Sequence, residues 1–234
     1  MSDTATTPVL EIIRALPEPA ASRLTLTPLE LHVMSGDCVL IDVRNRAQAT
    51  GFADLCCGLL PLRSGSVRFL GRDWADTPDE QAAAMRGRIG RVCGSDAWIS
   101  FLGTDLNILL PQLHHTRRPE PVLREAAAEL SRTFGLPGLP LMRPDAMTGA
   151  DLLRAACVRA FMGEPRLLLL DSPGLEQIPG LGPVLLNALM DAHDRHAASI
   201  WLTHSDAVWN DRSFPATIRL RLLERGFVPV RTPM

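Results

Sequence analysis

The sequence contains no lysine and no tyrosine. All 24 basic residues are arginine, set against 26 acidic residues for a formal net charge of -2. The arginines are scattered, so there is no compact basic patch to track a phosphate backbone, and nucleic acid is excluded as the expected partner. No uninterrupted apolar run approaches the ~18 to 20 residues of a membrane span. Met1 to Leu10 lacks the basic and then apolar segments of a secretory leader. The five cysteines, Cys38, Cys56, Cys57, Cys93 and Cys157, show no C-x-x-C spacing and lie in apolar stretches. They read as buried thiols of a reduced compartment rather than disulfides or zinc ligands. With 46% hydrophobic and 21% charged residues the chain is not of the disordered class, and 234 residues fit one large domain. A cytoplasmic protein is expected, with any membrane link made through a partner.

What is present is an alternation of short apolar runs and helical patterns. Val9 to Ile13 and Leu24 to Val33 read as strands around the turn Pro17 to Ser22, and Cys38 to Val43 as a buried strand. A loop, Arg44 to Gln48, leads into a helix from Ala49 to Leu60, in which Phe52, Leu55, Cys56 and Leu59 fall on one face. Strand, loop and helix in this order frame a phosphate-binding motif. Val67 to Leu70 and Ile89 to Cys93 are further strands. Residues 105 to 162 are mostly helical, divided into two arms by Pro137 to Pro144. The strand Arg166 to Asp171 ends in an acid, the helix Val184 to His193 follows, and the strand Ser199 to Thr203 ends at His204. Such alternation predicts a mostly parallel sheet.

Five landmarks in order carry a resemblance to a known family. Gly58-Leu59-Leu60-Pro61 is followed by Ser64-Gly65-Ser66-Val67 and Gly71. Leu102 to Pro111 contains Asn107. Met147-Thr148-Gly149-Ala150-Asp151 precedes Arg154, Ala156, Arg159 and Ala160. Leu167 to Pro173 reads LLLLDSP, and Ile200 to His204 ends the series. On these residues the chain resembles the ATPase subunits of ABC transporters over nearly its whole length. Leu136-Pro137-Gly138, Leu109 to His115, and Thr203-His204 followed by Trp209 are most similar to the ATPases of MCE-linked (Mla-type) phospholipid transporters. The resemblance implies an α/β fold of the P-loop NTPase-like ABC cassette type, with a mostly parallel core sheet, an N-terminal antiparallel β subdomain and a helical subdomain. It implies one cassette domain over 1–234, with 1–95 and 163–234 as core and 96–162 as the helical subdomain.

The resemblance also assigns roles that the residues do not all meet. A phosphate loop, G-x-x-x-x-G-K-[ST], needs glycines so that backbone N–H groups face the phosphates, a lysine for their charge and a hydroxyl for Mg²⁺. Val43 to Thr50 aligns with it. Val43 and Gln48 replace the glycines, Ala49 replaces the lysine, Asn45 and Arg46 lie between, and Thr50 alone is kept. Arg44 or Arg46 could supply the lost charge at a helix N-terminus, or could simply be solvated or salt-bridged loop arginines. Asp171 keeps the acid that reaches Mg²⁺ through water in the family, so Thr50 and Asp171 are the residual Mg²⁺ positions and no metal is expected to be held. Ser172 replaces the glutamate that polarises water, and serine is no useful base. Glu176, four residues on, is displaced from that point. Gly94 replaces the Mg²⁺-sensing glutamine, and no aromatic residue precedes Phe52 to stack on adenine. His204 matches the γ-phosphate histidine, or is a structural strand-end histidine. His193 and His196 could hold a metal, but more simply are solvated. At the signature, Met147 to Asp151, Thr148 and Gly149 keep a hydroxyl and a close backbone approach, whereas Ala150 adds a Cβ and Asp151 a negative charge.

No catalytic group is therefore expected intact, Ser172 and His204 being vestigial, and no nucleotide is expected to be bound tightly by the chain alone. The expected function is a degenerate ATP-binding subunit of an ABC transporter, peripheral on the inner face of the cell membrane. Its partners are a transmembrane permease, met through Trp98 to Pro111, and a second cassette, itself or an intact one. ATP and Mg²⁺ could then occupy a composite site closed by Thr148 and Gly149. The alternatives are a nucleotide-independent structural or regulatory cassette, and an orthodox ATPase with a substituted loop, which requires several independent repairs.

Overall fold

The computed structural model describes residues 7–22, 24–93, 98–171 and 178–230. The first half contains β1 (Leu10–Pro17), β2 (Leu29–Val33), β3 (Cys38–Asp42), α1 (Arg46–Cys56), β4 (Leu62–Phe69), β5 (Arg72–Asp73), α2 (Asp79–Arg86) and β6 (Ile89–Val92). An all-helical stretch follows, with α3 (Thr104–His115), α4 (Glu120–Thr133) and α5 (Gly149–Phe161). The chain then returns through β7 (Leu167–Leu170), α6 (Leu181–Asp194), β8 (Ala198–Thr203), α7 (Asp206–Asn210), β9 (Ile218–Leu223) and β10 (Gly226–Pro229).

Two sheets result. One is antiparallel with strand order β2-β1-β4-β5, and the other has order β10-β9-β3-β8-β7-β6. The second sheet is parallel from β9 to β6 and antiparallel only where β10 joins β9. Every residue of β7 and β8 is buried, as expected of parallel strands covered on both faces. In β2 the burial alternates, with Leu29, Leu31 and Val33 inward and Glu30 and His32 outward, the signature of a strand with one wet face.

The period-two alternation of the central strands divides the apolar interior in two. Cys38, Leu40, Leu168 and Leu170 face a core built with α3, α4, α5 and α6. Val39, Ile41, Leu167 and Leu169 face the opposite core, built with α1 and the antiparallel sheet. The site lies at the ends of β3 and β7, where α1 meets this second core. Gly90 brings the helical stretch up to it, because a Cβ there would run into the Ala160 carbonyl of α5.

The architecture matches the expected mostly parallel core with an antiparallel β region and a helical region. Individual boundaries differ from the sequence reading. β1 runs on to Pro17 through a bulge at Arg14 (φ 46°), opposite Gly65 (φ 77°), where a Cβ would strike the Arg14 and Ile13 carbonyls. The expected strand from Leu24 begins only at Leu29, because the Thr25 hydroxyl ties the segment to Thr27 O (2.9 Å) and Glu224 O (3.1 Å). The two expected helical arms are three helices, with Pro119 capping α4. The expected loop Arg44–Gln48 is mostly helix, since α1 starts at Arg46, and Leu59 lies beyond its end and is exposed.

Candidate functional site

β3 ends at Asp42, and the Val43 N–H donates to Thr203 O (2.8 Å) at the end of β8. The chain then reaches α1 in three residues, with Asn45 fully extended (φ -165°, ψ 171°) as the N-cap. A glycine-bearing loop would leave its N–H groups pointing into open space. Here the chain itself takes one of the free donors of the first turn, the Gln48 N–H donating to Asn45 Oδ1 (3.0 Å), and the Ala49 N–H makes the first helical bond to Asn45 O (3.2 Å). Gln48 is buried. Its Oε1 accepts the Arg44 N–H (2.9 Å) and its Nε2 reaches Leu24 O (3.4 Å), so the carboxamide fills the turn between β3 and α1. Ala49 is fully buried, Arg46 is exposed, and Arg44 pairs with Glu224 (2.7 Å) at the surface.

Asp171 follows β7, with its N–H on Val92 O (3.1 Å) and only 2% of its surface exposed. Its Oδ2 accepts two bonds from Arg91, through Nε (3.0 Å) and Nη2 (2.6 Å). Arg91 Nη1 meets Asp54 Oδ1 on α1 (2.6 Å), and Nη2 also reaches the Thr50 carbonyl (3.4 Å). Sequence reasoning missed Arg91 and Asp54. The available signal was an arginine inside a short, otherwise apolar strand. Burial alone would lower the Arg91 pKa, but Asp171 and Asp54 more than reverse this, so the guanidinium keeps its proton. Burial raises the Asp171 pKa, and Arg91 offsets only part of the rise. The two partners thus respond unequally, because Asp171 lies deeper than the 19%-exposed Arg91 side chain. Asp171 Oδ1 is buried and has no hydrogen-bond partner among the described residues. Beside this group, burial raises the Cys93 thiol pKa, and Arg159 stacks over Trp98 at 4.5 Å.

Around the signature positions the Met147 sulfur accepts the Thr104 hydroxyl (3.2 Å). Thr148 caps α5: its Oγ1 accepts the Asp151 N–H (3.1 Å) and donates to Asp151 Oδ2 (2.8 Å). Gly149 and Ala150 form the first turn, and a Cβ on Gly149 would meet nothing within 4 Å. The structure therefore links Thr50, Asp54, Arg91 and Asp171 in one cluster, and Asn45, Arg44 and Gln48 in another. His204 is exposed after β8 and makes no hydrogen bond or ion pair among the described residues. Ser172, Gly94 and Glu176 lie outside the described residues. His193 bonds the Ser199 hydroxyl (2.9 Å) rather than pairing with His196, and no metal-holding group of three occurs among the described residues.

No protein-family profile matches the chain. Among curated proteins it is 26% identical to the intermembrane phospholipid transport ATP-binding protein MlaF of Haemophilus influenzae, over 78% of this chain and 69% of that one. It is 26% identical to the sulfate/thiosulfate import ATP-binding protein CysA of Bordetella pertussis (92% and 59%), so it spans less than two thirds of that relative. It is 25% identical to the lipoprotein-releasing system ATP-binding protein LolD of Roseobacter denitrificans (78% and 81%). Among solved structures, the dimeric ATP-binding cassette MJ0796 bound to ADP and Pi superposes with a TM-score of 0.79 at 16% identity, covering 95% of this chain and 99% of that chain. The transporter subunit cbiO1 of Clostridium perfringens superposes at 0.70 and 16% identity, covering 95% and 87%. With its two-sheet core and helical insertion, the chain has the fold of the ATP-binding cassettes, and its sequence is similar to the ATP-binding proteins of ABC transporters.

Proposed function

We propose that this chain couples to a membrane permease without hydrolysing ATP at its own site, in a transporter of lipid or phospholipid type. The observation that carries this reading is the turn into α1, where Asn45 Oδ1 takes the Gln48 N–H and the Gln48 side chain takes the Arg44 N–H, two of the backbone donors that a phosphate loop leaves for its ligand. Arg91 on Asp171 adds to it. The residues present do not fit a magnesium–nucleotide pair held tightly by this chain alone. The carboxylate that would face Mg²⁺ already pairs with a guanidinium, and Gln48 fills the turn that would enclose phosphate. The lipid type is supported by the similarity to MlaF and LolD, while CysA and a phosphonate importer are matched at comparable identity.

Coupling is supported by an apolar patch at the start of α3. Phe101 is 75% exposed, Leu141 71% and Met142 54%, and Met142 is tied to the helix by the Thr104 N–H on its carbonyl (2.9 Å). A groove of about 380 Å³, lined in part by Ile99, Leu110 and Pro111, opens between this helix and β6. In this reading the arm within 96–162 carries the permease contact. The test is ATP turnover by the purified chain, alone and with any cassette encoded beside it, followed by phospholipid and sulfate transport by the complex with the adjacent permease. No turnover alone and phospholipid movement by the complex are expected. Turnover by the isolated chain at an ordinary cassette rate would overturn the first half, and sulfate transport the second.

A second reading, a nucleotide-independent structural or regulatory cassette, is favoured by the Thr148–Asp151 pair. The signature hydroxyl is bonded within its own turn, and a carboxylate stands where a partner's phosphate would approach. Titrating ATP·Mg²⁺ into the assembled complex separates the two. A composite site closed by Thr148 and Gly149 tightens cassette association, and a scaffold leaves it unchanged.

A further inference from the structure

The groove of about 380 Å³ between α3 and β6 also reaches the end of α2. Its walls are apolar where Ile89, Leu110, Pro111 and Met162 line it, and none of the described residues lining it is acidic. Three arginines line it as well. Arg91 is balanced by Asp54 and Asp171, and Arg159 stacks over Trp98. Arg86 is held by neutral groups only. Its Nε donates to Cys57 O (2.9 Å) and its Nη2 to Gly58 O (3.1 Å), and its Cζ lies over the Trp74 ring, 5.2 Å from the centroid. Among the described residues it makes no ion pair, and its Nη1 has no acceptor.

His115, at the end of α3, lies against Gly87, the residue after Arg86. A Cβ on Gly87 would come within 2.7 Å of the imidazole. The ring meets His114 edge to face, with centroids 4.7 Å apart, and makes no hydrogen bond among the described residues. Burial, with His114 beside it, lowers the His115 pKa, so near neutral pH the ring is uncharged and offers one N–H. A guanidinium without a counter-ion and an imidazole N–H, set in one apolar groove, suit a monoanionic head on an apolar chain. The volume is at the small end of the roughly 300–1,000 Å³ of ligand sites, which favours a short or medium chain.

We propose that this groove is a binding site for a small amphipathic carboxylate, a fatty acid of medium length, with its head on Arg86 and His115 and its chain against Ile89, Leu110 and Met162. The site goes beyond the permease contact proposed for this face, because it is a property of the chain alone.

The test is calorimetric titration of decanoate into the full chain near neutral pH, without nucleotide or permease. One saturable site is expected. Decanol, which lacks the charge, and acetate, which lacks the chain, should each bind at least about tenfold more weakly. Arg86→Gln should weaken decanoate binding by about tenfold. That variant also loses the bonds to Cys57 and Gly58, so a pair at the rim keeps the test independent of its folding. Leu110 is 42% exposed, and Leu110→Glu and Leu110→Arg give up the same apolar side chain with opposite charge. Leu110→Arg should bind decanoate about tenfold or more tightly than Leu110→Glu. Equal affinity for decanoate and decanol, equal affinity of the two Leu110 variants, acetate binding as tightly as decanoate, or no saturable binding overturns the inference. ATP turnover by the isolated chain would overturn the proposed function while leaving the decanoate result standing.

Discussion

Replacing Gln48 by alanine tests whether the turn between β3 and α1 is held shut by that side chain. Gln48 is 5% exposed, and its carboxamide satisfies the Arg44 N–H at 2.9 Å and, more weakly, the Leu24 carbonyl at 3.4 Å. Alanine removes both partners. A typical hydrogen bond contributes about 1 kcal/mol net, and a buried group left unsatisfied costs about 1–3 kcal/mol. The short bond to Arg44 dominates, so the loss should be about 2–3 kcal/mol. For a chain of this size each kcal/mol corresponds to roughly 2–4 °C in Tm, giving a drop of about 4–12 °C. Urea unfolding followed by tryptophan fluorescence measures it directly, with the midpoint moving and the slope unchanged. Asn45→Ala should cost about 1 kcal/mol through loss of the cap. The double variant should cost less than the sum, because the Gln48 N–H to Asn45 Oδ1 bond makes the two positions one unit. Neither variant should gain Tm from ATP·Mg²⁺. A Gln48→Ala protein with wild-type stability would refute the reasoning, since the carboxamide would then not be what closes the turn. ATP-dependent stabilisation of that variant would refute the expectation that the emptied turn still holds no nucleotide.

Three further outcomes follow from local chemistry. Thr148→Ala should lose about 1 kcal/mol of stability through uncapping of α5, measured by urea midpoint; an unchanged midpoint would show that the cap bond is not made in solution. Burial lowers the His193 pKa, so the folded state resists a proton that the unfolded chain accepts. That cost is absent well above the ordinary imidazole range near pH 6.5 and grows as pH falls through it. Stability should therefore decline between about pH 7 and pH 5 in the wild-type chain and less steeply in His193→Gln, and parallel pH profiles would contradict the assignment. Burial pushes the Cys57 and Cys157 thiols up to about 12 and raises those of Cys38, Cys56 and Cys93. Maleimide labelling of the native chain at neutral pH should be slow at all five and fastest at the partly exposed Cys93, with the others reacting only on unfolding. Rapid labelling of Cys157 in the folded protein would show that its core opens.

The sequence by itself determined the class of fold, because short apolar runs such as Leu167–Leu170, alternating with helical patterns, fit a parallel sheet covered on both faces. It also determined the order of the larger elements as far as β8, though not β5, α2, α7, β9 or β10, and the chemical poverty of the site: with no lysine anywhere, no register can supply one. Periodicity located α1 to within a turn but placed its start at Ala49 rather than Arg46. The cap at Asn45 is a local contact that periodicity does not report, whereas the buried Gln48 side chain reaches Leu24, twenty-four residues away, a contact no local pattern contains. The signature turn was legible as a motif, yet whether Asp151 faces a partner or caps its own helix is a matter of rotamer, settled only in three dimensions. Arg91 is the clearest case. In sequence it is one scattered arginine among 24 basic residues, whereas in the fold β6 lies beside β7 and across from α1, so that one guanidinium reaches carboxylates 37 and 80 positions away. Composition shows which charges a chain has. Only tertiary structure decides which of them are buried against each other, because burial, not sequence spacing, sets the strength of their interaction.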